Sequence, residues 1–127
     1  MSTVFNAPRN IANFKAGADL SAEANLNLSV KFDGSGDIVL SGSGAAGIGF
    51  LVNSPIVGEN AEVSTLGGGA LGVAAGTIAA GDFLKSDAAG KLVVASTAND
   101  LAIAKAMKSA VANDVFEIEP ILLRIHA

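Results

Sequence analysis

The sequence predicts a mainly β fold, a small barrel or sandwich of short strands with Gly-rich turns and an extended N-terminal arm. Three observations carry that expectation. Apolar and polar residues alternate with period two over several short stretches, which places each apolar set on one face of a strand. Turn-forming clusters such as Asp33-Gly34-Ser35-Gly36 and Asn53-Ser54-Pro55 separate those stretches at intervals of about ten residues. No strand–helix–strand alternation runs along the chain, so a parallel α/β sheet is not expected.

Residues 1–13 show no period and are interrupted by Asn6, Pro8 and Arg9; they read as an arm, with residues 14–127 as a single β-rich domain. From Asn25 the pattern sharpens: Leu26, Leu28, Val30 and Phe32 alternate with Asn27, Ser29 and Lys31, a half-buried strand. Residues 33–36 supply the positive-φ residues of a tight turn, and residues 37–40 complete a hairpin. Residues 48–52 form a short apolar strand that must end before Pro55, which cannot donate to a ladder. Ala61 and Val63 alternate with Glu62 and Ser64, while Gly67-Gly68-Gly69 weakens any regular element. Residues 79–82 turn the chain. Residues 83–86 and 91–95 flank Asp87-Ala88-Ala89-Gly90 as a second hairpin. Residues 100–112 fit a strand, with Leu101, Ile103 and Met107 at odd positions, and their Ala content leaves a helix as the alternative. Residues 115–125 form the last strand, bent at Pro120. Ala-Ala-Gly recurs four times, always near a turn, and reads as a turn habit rather than a repeat of fixed period.

Composition excludes most chemistry. The 127 residues hold no Cys, which removes disulfides, thiol catalysis and Cys-based zinc sites. A single His, His126, stands near the end, where a catalytic relay or a multi-His metal site has no companions to draw on. The net charge of −4 and the scattered basic residues, of which only Lys105 and Lys108 are close, argue against a nucleic-acid surface. Two uncharged runs, residues 38–58 and 63–81, reach the length of a membrane span. Their Gly, Ser, Asn and Pro content, and the absence of flanking Trp, Tyr or Lys/Arg clusters, speak against one. The first nine residues lack the basic and apolar regions of a secretory signal.

The remaining motifs have plain readings. G-x-G-x-x-G occurs at Gly42, Gly44, Gly47 and at Gly67, Gly69, Gly72, but neither copy opens the helix that a dinucleotide site requires. Asp33, Ser35 and Asp37 lack the acidic residue that closes a calcium loop and read as a solvated turn. Glu117 and Glu119 share one strand face, without the differing environments that acid–base work needs. A chain with neither nucleophile, base, metal cluster nor phosphate cradle works by contact, so no catalytic, cofactor or metal residues are expected.

The run Phe14-Lys15-Ala16-Gly17-Ala18-Asp19-Leu20-Ser21, the run Gly47-Ile48-Gly49-Phe50-Leu51-Val52-Asn53-Ser54-Pro55 with Gly58-Glu59, and the strings at residues 75–82, 87–91 and 104–114 resemble the tailed-bacteriophage capsid cement, or head decoration, proteins. The resemblance spans residues 14–125 and rests on the order of turn glycines and small residues. It implies a non-enzymatic β-rich virion protein on the outer surface of an icosahedral head. The implied partners are the major capsid protein and two further copies in a homotrimer, at three-fold and quasi-three-fold positions, where it strengthens the expanded shell. No nucleic acid or membrane partner is implied. A tail- or fibre-associated β domain is the alternative, and a small Gly-loop ligand-binding domain a further one. Residues 1–13 are longer than the family pattern. Val4, Phe5, Arg9 and Phe14 are the expected capsid contacts, because apolar residues there have no amphipathic partner within the arm.

Overall fold

The structure, a computed structural model, describes residues 10–125. Among these residues ten strands form two antiparallel sheets of five, with one 3-10 turn at Glu23–Asn25. The strands are β1 (Ile11–Lys15), β2 (Ser29–Phe32), β3 (Ile38–Leu40), β4 (Gly49–Leu51), β5 (Asn60–Ser64), β6 (Ala70–Val73), β7 (Phe83–Ser86), β8 (Leu92–Val94), β9 (Leu101–Ala106) and β10 (Val115–Arg124). The first sheet has the order β1-β5-β4-β2-β3 and the second β6-β10-β9-β7-β8.

These two orders are the same order. Shifting every strand label by five turns one sheet into the other, so the chain is a structural tandem repeat. The correspondence extends to single hydrogen bonds. Gly17 N–H donates to Ile38 O at 2.8 Å, and Ala75 N–H donates to Leu92 O at 2.8 Å. Gly58 N–H donates to Ala16 O, as Asn113 N–H does to Ala74 O. In each repeat the two outermost strands meet at a parallel bridge, Ala16↔Ile38 and Ala74↔Leu92, so each sheet curls until its edges touch. Closure of this kind removes exposed sheet edges. The spacing between equivalents drifts because the loops differ in length, which is why the duplication shows no fixed period in the sequence.

Each repeat folds around its own apolar interior. Ala16, Leu20, Val30, Ile38, Leu51, Ala61 and Val63 line the first. Ala74, Ile78, Leu84, Leu92, Ala106, Phe116 and Ile118 hold the same places in the second. Where Leu51 and Ala61 stand in the first repeat, Ala106 and Phe116 stand in the second: one position shrinks as its neighbour grows, the kind of swap a packed core tolerates. The hairpin turns repeat as well. Asp33 Oδ1 accepts the N–H groups of Ser35 and Asp37, and Asp87 Oδ1 accepts those of Ala89 and Lys91. Gly36 and Gly90 take the left-handed φ of +82° and +85° that closes both turns.

Several expectations change. Ile11–Lys15 is strand β1, paired along its length with β5, so the boundary drawn after residue 13 falls inside a strand. The lack of period hid it, because β1 alternates only weakly between exposed and half-buried positions. The β2 strand begins at Ser29 rather than Asn25, since the chain first makes the 3-10 turn. Ser29, read as the polar side of that strand, is fully buried, because the second repeat covers it. Strand β6 was not expected beside three glycines. Its Gly72 leaves space for the core: a Cβ would lie 2.7 Å from a Leu92 methyl group, which would have to move. Leu101–Ala106 is strand, and β10 shifts register between Pro120 and Leu123, as the bend at Pro120 anticipated.

Candidate functional site

The surfaces on offer follow from how the two repeats meet. One outward row of the first repeat crosses its sheet as Ser41, Ser29, Phe50 and Ser64, the last three in register across β2, β4 and β5. All four residues are buried, and the Ser29 and Ser41 hydroxyls lie 2.8 Å apart. Small side chains let the second repeat approach closely: Ser29 N–H donates to Gly90 O at 2.9 Å, and Gly44 N–H donates to Ser86 O at 2.8 Å. The Phe50 ring, 2% exposed, belongs to the apolar cluster of the second repeat rather than to that of the first.

The second repeat accepts an outside ring where the first fills its own space. At the inward positions where the first repeat carries Phe14 and Phe32, the second carries Gly72 and Ser86. Phe14 and Phe32 pack edge to face, ring centroids 5.4 Å apart at 77°. Phe14 is half-buried against the first core, while Phe32 remains 46% exposed. The pair forms an aromatic rim on the free end of the first repeat. At the opposite free end, the second repeat's outward row reads Ala95, Phe83, Lys105 and Glu119 in the places of Ser41, Ser29, Phe50 and Ser64. Phe83 there is 36% exposed.

Two equivalent turns add exposed apolar tips. Ile56 N–H donates to Glu59 Oε1 at 2.9 Å, and Val111 N–H to Asp114 Oδ2 at 3.0 Å, so each carboxylate braces its own turn. Ile56, Val57 and Val111 project outward from them. Acidic groups elsewhere are also engaged locally. The Ser21 hydroxyl, then the Ser21 backbone N–H, hold the Asp19 carboxyl below its usual range. The Lys85 ammonium, 3.1 Å from Asp100, holds that carboxyl low against a desolvation that opposes it.

Of the four expected contact residues, Phe14 lies in β1, and Val4, Phe5 and Arg9 lie outside the described residues, as does His126. The glycines of the first G-x-G-x-x-G lie in the loop before β4; of the second, Gly67 and Gly69 precede β6 and Gly72 lies within it; no helix follows either. Asp33 is spent on its turn, and Glu117 and Glu119 lie along β10. Among the described residues no group of three His, Asp or Glu converges as a metal site would require. None of them forms a helix long and apolar enough to cross a membrane. Sequence reasoning missed Phe32, Phe83 and Lys105 as surface features. The signal that could have found them is the paired turn Asp33-x-x-Gly36 and Asp87-x-x-Gly90, which aligns the two halves residue by residue.

No protein-family model matches the chain, and no curated protein matches it. Among solved structures it is similar to the crystal structure of the head fibre gp8.5 N base of bacteriophage phi29, with a TM-score of 0.67 and 16% sequence identity. The match covers 93% of this chain and 100% of that one. The shared property is the fold.

Proposed function

We propose that this chain is a structural virion protein that binds the outer surface of an icosahedral phage head, as homotrimers at three-fold and quasi-three-fold positions, and stabilises the expanded shell. The observation that carries the reading is the fold likeness to a phage head-fibre base over nearly the whole chain. The order of turn glycines and small residues that resembles the capsid cement proteins supports it independently. The mechanism is mechanical. Several modest contacts per assembly multiply through effective concentration, and binding only the mature lattice stabilises that lattice by mass action.

The shell contact is assigned to the segment that precedes β1, with Val4, Phe5 and Arg9; Phe14, held in β1 against Phe32, anchors the strand into which that segment runs. Removal of residues 1–9, which leaves β1 intact, abolishes co-sedimentation with expanded, undecorated heads while the fold persists. Wild-type protein raises the resistance of those heads to heat and chelator. Full occupancy by the truncated protein overturns the arm assignment, and absence of wild-type binding overturns the function. A second reading, the base of a head fibre, is favoured by the same neighbour; labelling on intact particles separates them, since a fibre base carries a protrusion at each labelled site.

A further inference from the structure

We propose that the aromatic rim of the first repeat, Phe14 with Phe32, is the docking place of a second copy of this chain, which presents Lys105 and Phe83 of its second repeat. The inference rests on the trimer of the proposed function and names the surface that makes it. Within one chain, the outward row of the first repeat docks on the end of the second. That contact is heterologous: two different surfaces meet. Each chain therefore retains one unused copy of each surface, the rim of the first repeat and the outward row of the second. Repeating the intrachain contact between chains uses both, and a heterologous contact of this kind closes into a ring when the rotation permits.

The residues at the two unused surfaces differ from their buried equivalents in a matched way. Across the intrachain contact, Phe50 joins a core in which Gly72 and Ser86 replace the aromatic pair. At the free surfaces the pair is present, and Lys105 stands where Phe50 would be. A lysine ammonium over an exposed aromatic face is favourable, and its methylene stem covers the ring edge. The second position is matched too. Ser29 sits tightly against Gly90, where a Cβ would lie 3.0 Å from Ser29 O. Its equivalent Phe83 faces Gly36 in the copied contact, and no residue of the same chain lies within 4 Å of a Cβ built at Gly36, so that turn is uncovered. The loop at Asn99 does not take part: its N–H, the equivalent of Gly44 N–H, already donates to Ile125 O at 2.8 Å.

The native absence of Cys makes the test direct. The Ser35→Cys, Phe83→Cys double variant of the full chain, oxidised in solution, forms disulfide-linked dimers and trimers on a non-reducing gel. Ser54→Cys with Phe83→Cys does not. Lys105→Glu and Phe83→Ser each weaken self-association in sedimentation velocity about tenfold or more, with an unchanged urea midpoint at a dilution where the wild type is monomeric. A wild-type chain that remains monomeric at millimolar concentration, or a trimer whose Ser35–Phe83 pair fails to cross-link, overturns the proposal. Head binding is scored separately. Trimers that coat heads without the cross-link leave the proposed function standing and sink this contact; cross-linked rings that ignore heads do the reverse.

Discussion

The same outward row of positions is built twice in this molecule and treated in opposite ways. In the first repeat it holds Ser41, Ser29, Phe50 and Ser64, all buried. In the second it holds Ala95, Phe83, Lys105 and Glu119, with Phe83 and Glu119 open to solvent. The backbone beneath is equivalent strand for strand, and many of its hydrogen bonds recur at matching positions. What differs is whether another repeat lies on top. A buried outer row requires small hydroxyls that satisfy one another and one large ring that fills a neighbour's core. An open one tolerates charge. The difference teaches that burial in a tandem fold belongs to the contact between repeats as much as to the repeat itself.

The largest test of that contrast is a matched pair of truncations. Phe50→Ala removes an aromatic ring from the second core and costs about 3–5 kcal/mol, read as a fall in the urea midpoint. Lys105→Ala, at the equivalent site, stays within about 0.5 kcal/mol for the monomer. Equal effects would break the comparison.

The two hairpin glycines come next. Gly36→Ala costs about 1–2 kcal/mol, because only the left-handed backbone opposes it. Gly90→Ala adds about 1–3 kcal/mol of crowding against Ser29 and Leu28. The difference between these two losses measures how tightly the repeats are pressed together.

Hydroxyl pairing gives a smaller effect of a distinct form. Ser29→Ala leaves the Ser41 hydroxyl buried without its partner and costs about 1–3 kcal/mol. Adding Ser41→Ala recovers part of that loss rather than deepening it, and thermal midpoints of the three variants report the non-additivity.

The smallest effect is electrostatic and belongs to the open side. Asp100, in the place of Ala45, is held ionised by Lys85, so its folded pKa lies below the unfolded value. The contribution is fully present above the unfolded value, about 3.9, and is lost as pH falls through the folded one. Asp100→Asn therefore flattens the dependence of the urea midpoint on pH only in that acid range. Above that range the variant's midpoint lies below the wild type's by a small constant amount; a difference that varies with pH near neutrality would show that the carboxylate acts through something other than Lys85.

Much of the β architecture was legible beforehand, and for a local reason. Alternation at Ala61 and Val63, the Asp-x-x-Gly turns and the stop at Pro55 each depend on a few neighbouring residues, and all three describe the structure. Strands β1 and β6 escaped because their identity is set by partners far along the chain. Ile11–Lys15 is a strand because β5 lies beside it, and Ala70–Val73 because β10 does. The exposed residues of the candidate surface escaped for the same reason, since Phe32 and Phe83 look like ordinary alternating core residues.

By itself the amino-acid sequence determined where the chain bends, which short runs extend, and which chemistries its residues can support, because turn geometry, side-chain alternation and the absence of Cys act locally. Only the tertiary structure decided that the ten strands form one motif twice, that Ser29 is covered while Phe83 is bare, and that the ring of Phe50 completes a core other than its own. Those outcomes depend on pairing between residues distant in sequence, and the loops that differ in length between the repeats erase the period that would have announced them.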